Sequence, residues 1–315
     1  MKKKLKCIMS VLLLTLLTIT AMPNVATAQS SNKTDQDSIN QITESSQVEI
    51  TEVVDEITLV KKIKSYTEDE LYELGCTEDE VKYIKNYDYN KVLADLSKKD
   101  TKVLEKMGYS NYQIKKLKEY DGTIDAIDYL QSYSLSNATL TLSFRPNFCN
   151  TKSFYFNYNW LWSSPPIFQG TDIIAFTWVA CTSSSSYISM KYDSTPWAYV
   201  HYYFEDNDTY FTSFTVNPTY AIGNCSLNID MKKEVLDADF YPKIGEGYIE
   251  LSTQSGSSNL YSIQILGAYG HSTITLFPSV SFDTSGVSLG ISFAWTMEEL
   301  SRGIRTYKYD GTVLN

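Results

Sequence analysis

The sequence predicts an α+β multidomain chain, in which a small helical-hairpin repeat domain precedes an antiparallel β-sandwich, with a β-barrel as the alternative. Three observations carry this. An internal repeat with helical spacing lies within 64–133. From about residue 138, short runs rich in Thr, Ser, Tyr, Phe, Ile and Val alternate with turn-like clusters. All five tryptophans fall in that second region. Many short strands bounded by turn signals argue for packed antiparallel sheets.

Residues 1–28 read as a signal peptide. Lys2, Lys3, Lys4 and Lys6 give a basic start, "CIMSVLLLTLLTITA" an apolar run, and Ala26–Ala28 ("ATA") a small-residue cleavage pattern. The apolar run is shorter than the ~20 residues of a membrane span. Removing 28 of 315 residues leaves 287 and, with the four lysines gone, takes the formal net charge from −10 to −14. An acidic chain is poorly suited to phosphate backbones or anionic lipid surfaces. The expected location is outside the cell, released or held non-covalently at the surface. Residues 29–55 are polar and acidic with no aromatic residue, so a flexible leader is expected there.

The helical domain is assigned to 56–135. With Gly75 aligned on Gly108, an offset of 33, "LYELGCTEDEVKYIKNYD" matches "LEKMGYSNYQIKKLKEYD". Each copy predicts a short helix ending at a glycine C-cap. A second helix then opens on a capping box, Thr77-x-x-Glu80 or Ser110-x-x-Gln113. Val81 and Ile84, like Ile114 and Leu117, then supply an apolar face.

The β-domain is assigned to 136–315, with candidate strands at 138–144, 153–162, 171–180, 197–204, 210–217, 220–230, 246–254, 260–269, 271–282 and 286–296. In 153–162, Phe154, Phe156, Tyr158, Trp160 and Trp162 share one face. Burying each ring contributes roughly 1.5–3 kcal/mol, so the stripe is expected to face the core. Trp160 and Trp162 run into Pro165-Pro166, and a strand end of that kind is where a half-wet aromatic rim could form. Together with Trp197 and Tyr199, they are the candidate ligand-binding residues, for a glycan or cell-wall component.

The segments "WLWSSPP" (160–166), "GTDIIAFTW" (170–178) and "GAYGHSTITL" (267–276), the last with its Ser-rich alternating tail, resemble uncharacterised secreted proteins of Gram-positive bacteria. The resemblance covers roughly the C-terminal 175 residues and implies no activity.

Catalytic signals are sparse. The two histidines are His201, in "WAYVHYYF", and His271, in "AYGHSTITL"; no G-x-S-x-G elbow is present. Asp172 enters an apolar strand and needs a partner there. His201, Asp172 and His271 are therefore the runner-up catalytic set, under a secreted-hydrolase reading. Glu205, Asp206 and Asp208 form an acidic loop without EF-hand spacing, read as a hairpin turn. Cys76, Cys149, Cys181 and Cys225 make no CxxC or CxxH pair. No metal or cofactor is expected, and free thiols are favoured over a disulfide.

The leading expectation is thus a secreted, non-catalytic binding module for glycan or cell wall, with no nucleic-acid partner. One alternative is a pore-forming protein. Residues 272–295 alternate Ser/Thr with Ile274, Leu276, Val280, Phe282, Val287, Leu289, Ile291, Phe293 and Trp295, the pattern of a membrane-inserting hairpin. Pro278 interrupts it, and an ordinary half-exposed hairpin has the same alternation.

Overall fold

The computed structural model describes residues 46–314, apart from 165, 168–169, 205–209, 215–217, 236–237, 255–257, 274–278, 284–288 and 295–296. For 214, 218, 233–235, 238–239 and 301 it describes the backbone alone. Residues 1–28, where a signal peptide is expected, the "EDND" loop and Ile274, Leu276, Pro278, Val287 and Trp295 of the alternating segment lie outside the described residues. The described chain is a β-rich α+β fold of mostly antiparallel sheet, and no sheet among those residues closes into a barrel.

The helical block contains α1 (Glu56–Ser65), α2 (Glu68–Glu73), α3 (Glu78–Asn86), α4 (Tyr89–Lys98), α5 (Thr101–Lys106), α6 (Asn111–Glu119) and α7 (Ala126–Ser132). The repeat appears as α2–α3 and α5–α6. Gly75 and Gly108 both adopt φ +94°, the left-handed conformation a C-cap requires. Both capping boxes form: the Thr77 and Ser110 amides donate to Glu80 and Gln113 at 2.7 and 2.9 Å, and the return bonds are 3.3 Å each. Val81, Ile84, Ile114 and Leu117 are buried in one core with Leu71, Leu93 and Leu104.

The larger sheet has the order β1-β2-β3-β12-β7-β8, with β6 and β11 also pairing β12. Its strands are β1 (Val48–Asp55), β2 (Asn137–Cys149), β3 (Ser153–Ser164), β6 (Met190–Tyr192), β7 (Trp197–Phe204), β8 (Tyr210–Phe214), β11 (Lys233–Val235) and β12 (Ala238–Thr253). The second sheet has the order β16-β13-β4-β10-β9, with β5 on β4. It uses β4 (Thr171–Cys181), β5 (Tyr187–Ile188), β9 (Pro218–Ala221), β10 (Asn224–Asp230), β13 (Ser262–Ser272) and β16 (Met297–Lys308). A separate pair joins β14 (Val280–Asp283) to β15 (Gly290–Phe293).

Residues 48–55 correct the leader expectation. They pair antiparallel with β2 from Val48↔Phe144 to Asp55↔Asn137. Val48 and Val54 point into the core while Glu49, Thr51 and Val53 do not. The alternation is present in "VEITEVVD", but its acidic residues hide it in a composition-based reading. β16, "MEELSRGIRTYK", lay outside the candidate strands for the same reason: Met297, Leu300 and Tyr307 are its buried apolar side chains among those described, widely spaced among charges.

All five rings of the β3 stripe are core. Phe154, Phe156, Tyr158, Trp160 and Trp162 are 0–1% exposed and share one cluster with Phe144 of β2, Phe176 and Trp178 of β4 and Tyr307 of β16. This corrects the rim assignment for Trp160 and Trp162. β3 is paired with β12 as far as Leu161 and with β2 as far as Ser164, so Trp160 is flanked on both sides and Trp162 on one. The large rings fit because β12 presents glycines opposite them. A Cβ on Gly245 would lie 1.9 Å from the Trp160 ring, and one on Gly247 would lie 2.5 Å from the Tyr158 hydroxyl. β4 is buried almost continuously because both its faces are covered. Phe176 and Trp178 face the main core, while Ile173 and Ala175 pack with Ile291 of β15 and the half-buried Val280, Phe282 and Phe293. The described part of the alternating hairpin therefore lies against the second sheet. No described helix is long and apolar enough to cross a membrane.

Candidate functional site

Two places gather the chemistry. The first is a fully buried charge network. Asp172, at the start of β4, and His271, near the end of β13, meet because β13 and β4 are neighbours in register Gly270↔Ile173. His271 Nδ1 lies 2.9 Å from Asp172 Oδ1, and Nε2 lies 3.1 Å from Glu56 Oε1. All three residues are 0% exposed. The Tyr269 hydroxyl donates to Asp172 Oδ2 at 2.7 Å and accepts from Trp162 Nε1 at 3.1 Å. The Ser272 amide donates to Asp172 Oδ1 at 2.9 Å, and the Ile167 amide to Glu56 Oε2 at 2.7 Å. The Trp162 ring packs edge-on against Tyr269 and His271. The last ring of the aromatic stripe thus roofs the network.

Burial alone would lower the His271 pKa. The charge of Asp172 and its hydrogen bond, followed by those of Glu56, overcome burial and push it up to about 10. The imidazolium donates from both nitrogens. Glu298 of β16 faces the same group; burial raises its pKa, and the charge of His271 opposes that rise. Glu56 is delivered by the β1–α1 junction. Asp55 caps α1 by accepting from the Ile57 amide at 3.2 Å and holds Ser136 at 3.0 Å, and this junction turns the next side chain inward.

Of the runner-up catalytic set, Asp172 and His271 come together and His201 does not. His201 is half-buried on β7, with Nδ1 3.0 Å from Thr212 Oγ1. Asp172 has the partner its position demanded. Glu56 was missed: it stands among acids at a helix start, and nothing in the local pattern marks it as buried.

The second place is the outer face of the larger sheet. The register lays its outward side chains in rows across the strands. One row is Arg145, Asn157, Tyr248 and Trp197 on β2, β3, β12 and β7. The next is Ser143, Asn159, Glu246 and Tyr199, followed by Thr141, Leu161, Ile244, His201 and Thr212. The Trp197 ring meets Tyr248 at 4.2 Å and Tyr199 at 4.7 Å, both edge-on. Farther along, Tyr203 stacks on Tyr210 at 5.2 Å. Asn159, Glu246 and Thr212 are exposed, while Trp197 and Tyr199 are half-buried by their neighbours. Of the four predicted ligand-binding residues, Trp197 and Tyr199 therefore lie on the surface together, and Trp160 and Trp162 lie beneath it.

Among the described residues, Cys76, Cys149, Cys181 and Cys225 are free thiols. Among the described residues no group of three or more His, Cys, Asp or Glu side chains has metal-holding geometry.

No family model and no curated protein matches the chain. Among solved structures, one described as "AvmM Catalyzes Macrocyclization in Alchivemycin A Biosynthesis" is similar over 54% of this chain and 87% of that one. The identity is 8% and the TM-score 0.26, a likeness too slight to bear on chemistry here.

Proposed function

We propose that this is an exported, non-catalytic protein whose two large sheets pack as an antiparallel β-sandwich and whose outer aromatic face binds a glycan of the cell wall. The observation that carries this reading is the pair of rows built from Trp197, Tyr199 and Tyr248 beside Asn157, Asn159 and Glu246. Ring faces stack on the apolar face of a sugar, and adjacent amides and carboxylates meet its hydroxyls. Such a mixture of rings and hydrogen-bonding groups costs little when exposed to water, unlike a purely apolar patch.

The buried network argues against the hydrolase alternative. A general base needs a ring nitrogen within reach of a substrate proton. Both nitrogens of His271 are already engaged by carboxylates, and the group has no exposed surface.

The test is co-sedimentation of the purified protein with bacterial cell walls, insoluble polysaccharides and liposomes in parallel. Pelleting with walls or polysaccharides, lost in Trp197→Ala/Tyr199→Ala, supports the reading. Pelleting with liposomes alone, or binding unaffected by the double substitution, overturns it.

A further inference from the structure

The fold turns one phenylalanine of β2 out to water. Along this strand Ala138, Leu140, Leu142, Phe144 and Pro146 are buried, so unbroken alternation would send Phe148 into the core as well. The register breaks first. Pro146 pairs with Phe156 and Phe148 with Tyr155, which leaves Asn147 as the extra residue of a β-bulge. A bulge re-aims the side chain that follows it, and Phe148 is 48% exposed. Its ring lies 5.2 Å from that of Tyr155, tilted by 42°. Tyr155 is itself held in place: its hydroxyl donates to Asp193 Oδ2 at 2.8 Å. Asp193 also accepts from the Ser252 hydroxyl, and its amide donates to the Glu250 carbonyl at 3.0 Å. The ring pair is thus ordered before any ligand arrives.

This pair shares the outer face with the Trp197 cluster. Tyr155 pairs with Glu250, and two residues along β12 Tyr248 pairs with Asn157 on one side and Trp197 on the other. The two rows are therefore about 7 Å apart along the strands, and Phe148 and Trp197 are three strands, about 14 Å, apart across them. Between them lie Asn157, Tyr248 and Glu250, all half-buried. Two separated ring pairs with polar side chains between them suit a linear ligand whose successive units each offer an apolar face and hydroxyls. A compact ligand would cover one pair and leave the other bare.

We infer that Phe148 and Tyr155 form a second station of the outer face, and that one linear glycan chain spans it and the station of Trp197, Tyr199 and Tyr248. This rests on the glycan-binding reading above and adds the form of the ligand: the interior of a chain, engaged at two places at once, rather than a terminal sugar.

The test measures pelleting isotherms of the purified protein on bacterial cell walls, for the native chain, Phe148→Ala, Phe148→Ala/Tyr155→Ala and Trp197→Ala/Tyr199→Ala. Phe148→Ala/Tyr155→Ala should weaken binding at least about tenfold, and Phe148→Ala alone at least about threefold. The single variant removes an exposed ring, keeps the Tyr155–Asp193 bond and covers the event that the double variant impairs folding. Muramidase fragments of the same walls, separated by length, then compete with pelleting. Against the native protein the longest fragments should compete at least about tenfold better than the disaccharide; in Phe148→Ala/Tyr155→Ala the difference should fall below about threefold. Full binding in Phe148→Ala/Tyr155→Ala, with loss in Trp197→Ala/Tyr199→Ala, overturns the second station and leaves the glycan reading standing. Equal competition by all lengths against the native protein overturns the spanning chain. No pelleting of the native protein, or binding indifferent to all four rings, overturns the reading and the inference together.

Discussion

Glu56→Ala is expected to destabilise the fold by about 3–5 kcal/mol at pH 7, the range for removing one partner of a buried ion pair. The magnitude follows from what the carboxylate holds. His271 Nε2 and the Ile167 amide both donate to it, at 3.1 and 2.7 Å, and both sit where water does not reach the carboxylate. The substitution strands two donors, each costing about 1–3 kcal/mol when left unpaired, and leaves His271 one carboxylate short. Against a typical total of roughly 5–15 kcal/mol this is a large fraction. The assay is urea unfolding followed by circular dichroism, with Glu56→Leu, His271→Leu and their double variant in a cycle. The double should cost less than the sum of the singles, because each single strands the other member of the His271–Glu56 pair and the double strands neither, while Asp172 keeps the Tyr269 hydroxyl and the Ser272 amide. A loss below about 1 kcal/mol in Glu56→Ala, or full additivity in the cycle, would refute the network account.

The pH dependence follows from the same group. The folded pKa of His271 is raised above its ordinary 6.5, so its contribution is full below about pH 6.5 and is lost as pH rises through about 10. Unfolding midpoints measured from pH 6 to 10.5 should fall in the native protein and stay flatter in the Glu56→Leu/His271→Leu variant. Glu298 works in the same sense, since burial raises its carboxyl: ionising it opposes folding. Glu298→Gln should be at least as stable as the native protein at pH 8, and any advantage should vanish near pH 4. Gly245→Ala should destabilise by about 1–3 kcal/mol or more through overpacking against Trp160, visible as a lowered melting temperature. Trp160→Ala should cost about 3–5 kcal/mol, whereas Trp197→Ala should cost far less and affect binding instead. Parallel denaturation and pelleting assays separate the two.

The sequence made much of the fold legible where one physical signal dominated. The repeat was readable because Gly75 and Gly108 and their capping boxes are local devices, and local devices behave alike wherever they stand. The β3 stripe was readable because its period is unbroken over five rings. β1 and β16 were not, because each combines a few widely spaced buried side chains with many charges, and only pairing with β2 or β13 shows which face is inward. At the candidate sites, Asp172 drew notice as an acid in an apolar strand, and Trp197 and Tyr199 as neighbours in an aromatic run. Trp160 misled because a proline pair after a strand suggests an open rim, while the cover over that end comes from residues far away in sequence. Glu56 lies 215 residues from His271, and no spacing rule reaches that far.

The most direct measurement of the central proposal is oxidative footprinting of the tryptophans in the presence of the polymer that pellets the protein. Trp197 is half-buried on the outer face, whereas Trp160, Trp162 and Trp178 are 0–4% exposed. In the free protein Trp197 should be modified ahead of those three, and bound polysaccharide should protect it. Unchanged modification of Trp197 in protein that has pelleted with the polymer would contradict the outer aromatic face as the binding surface.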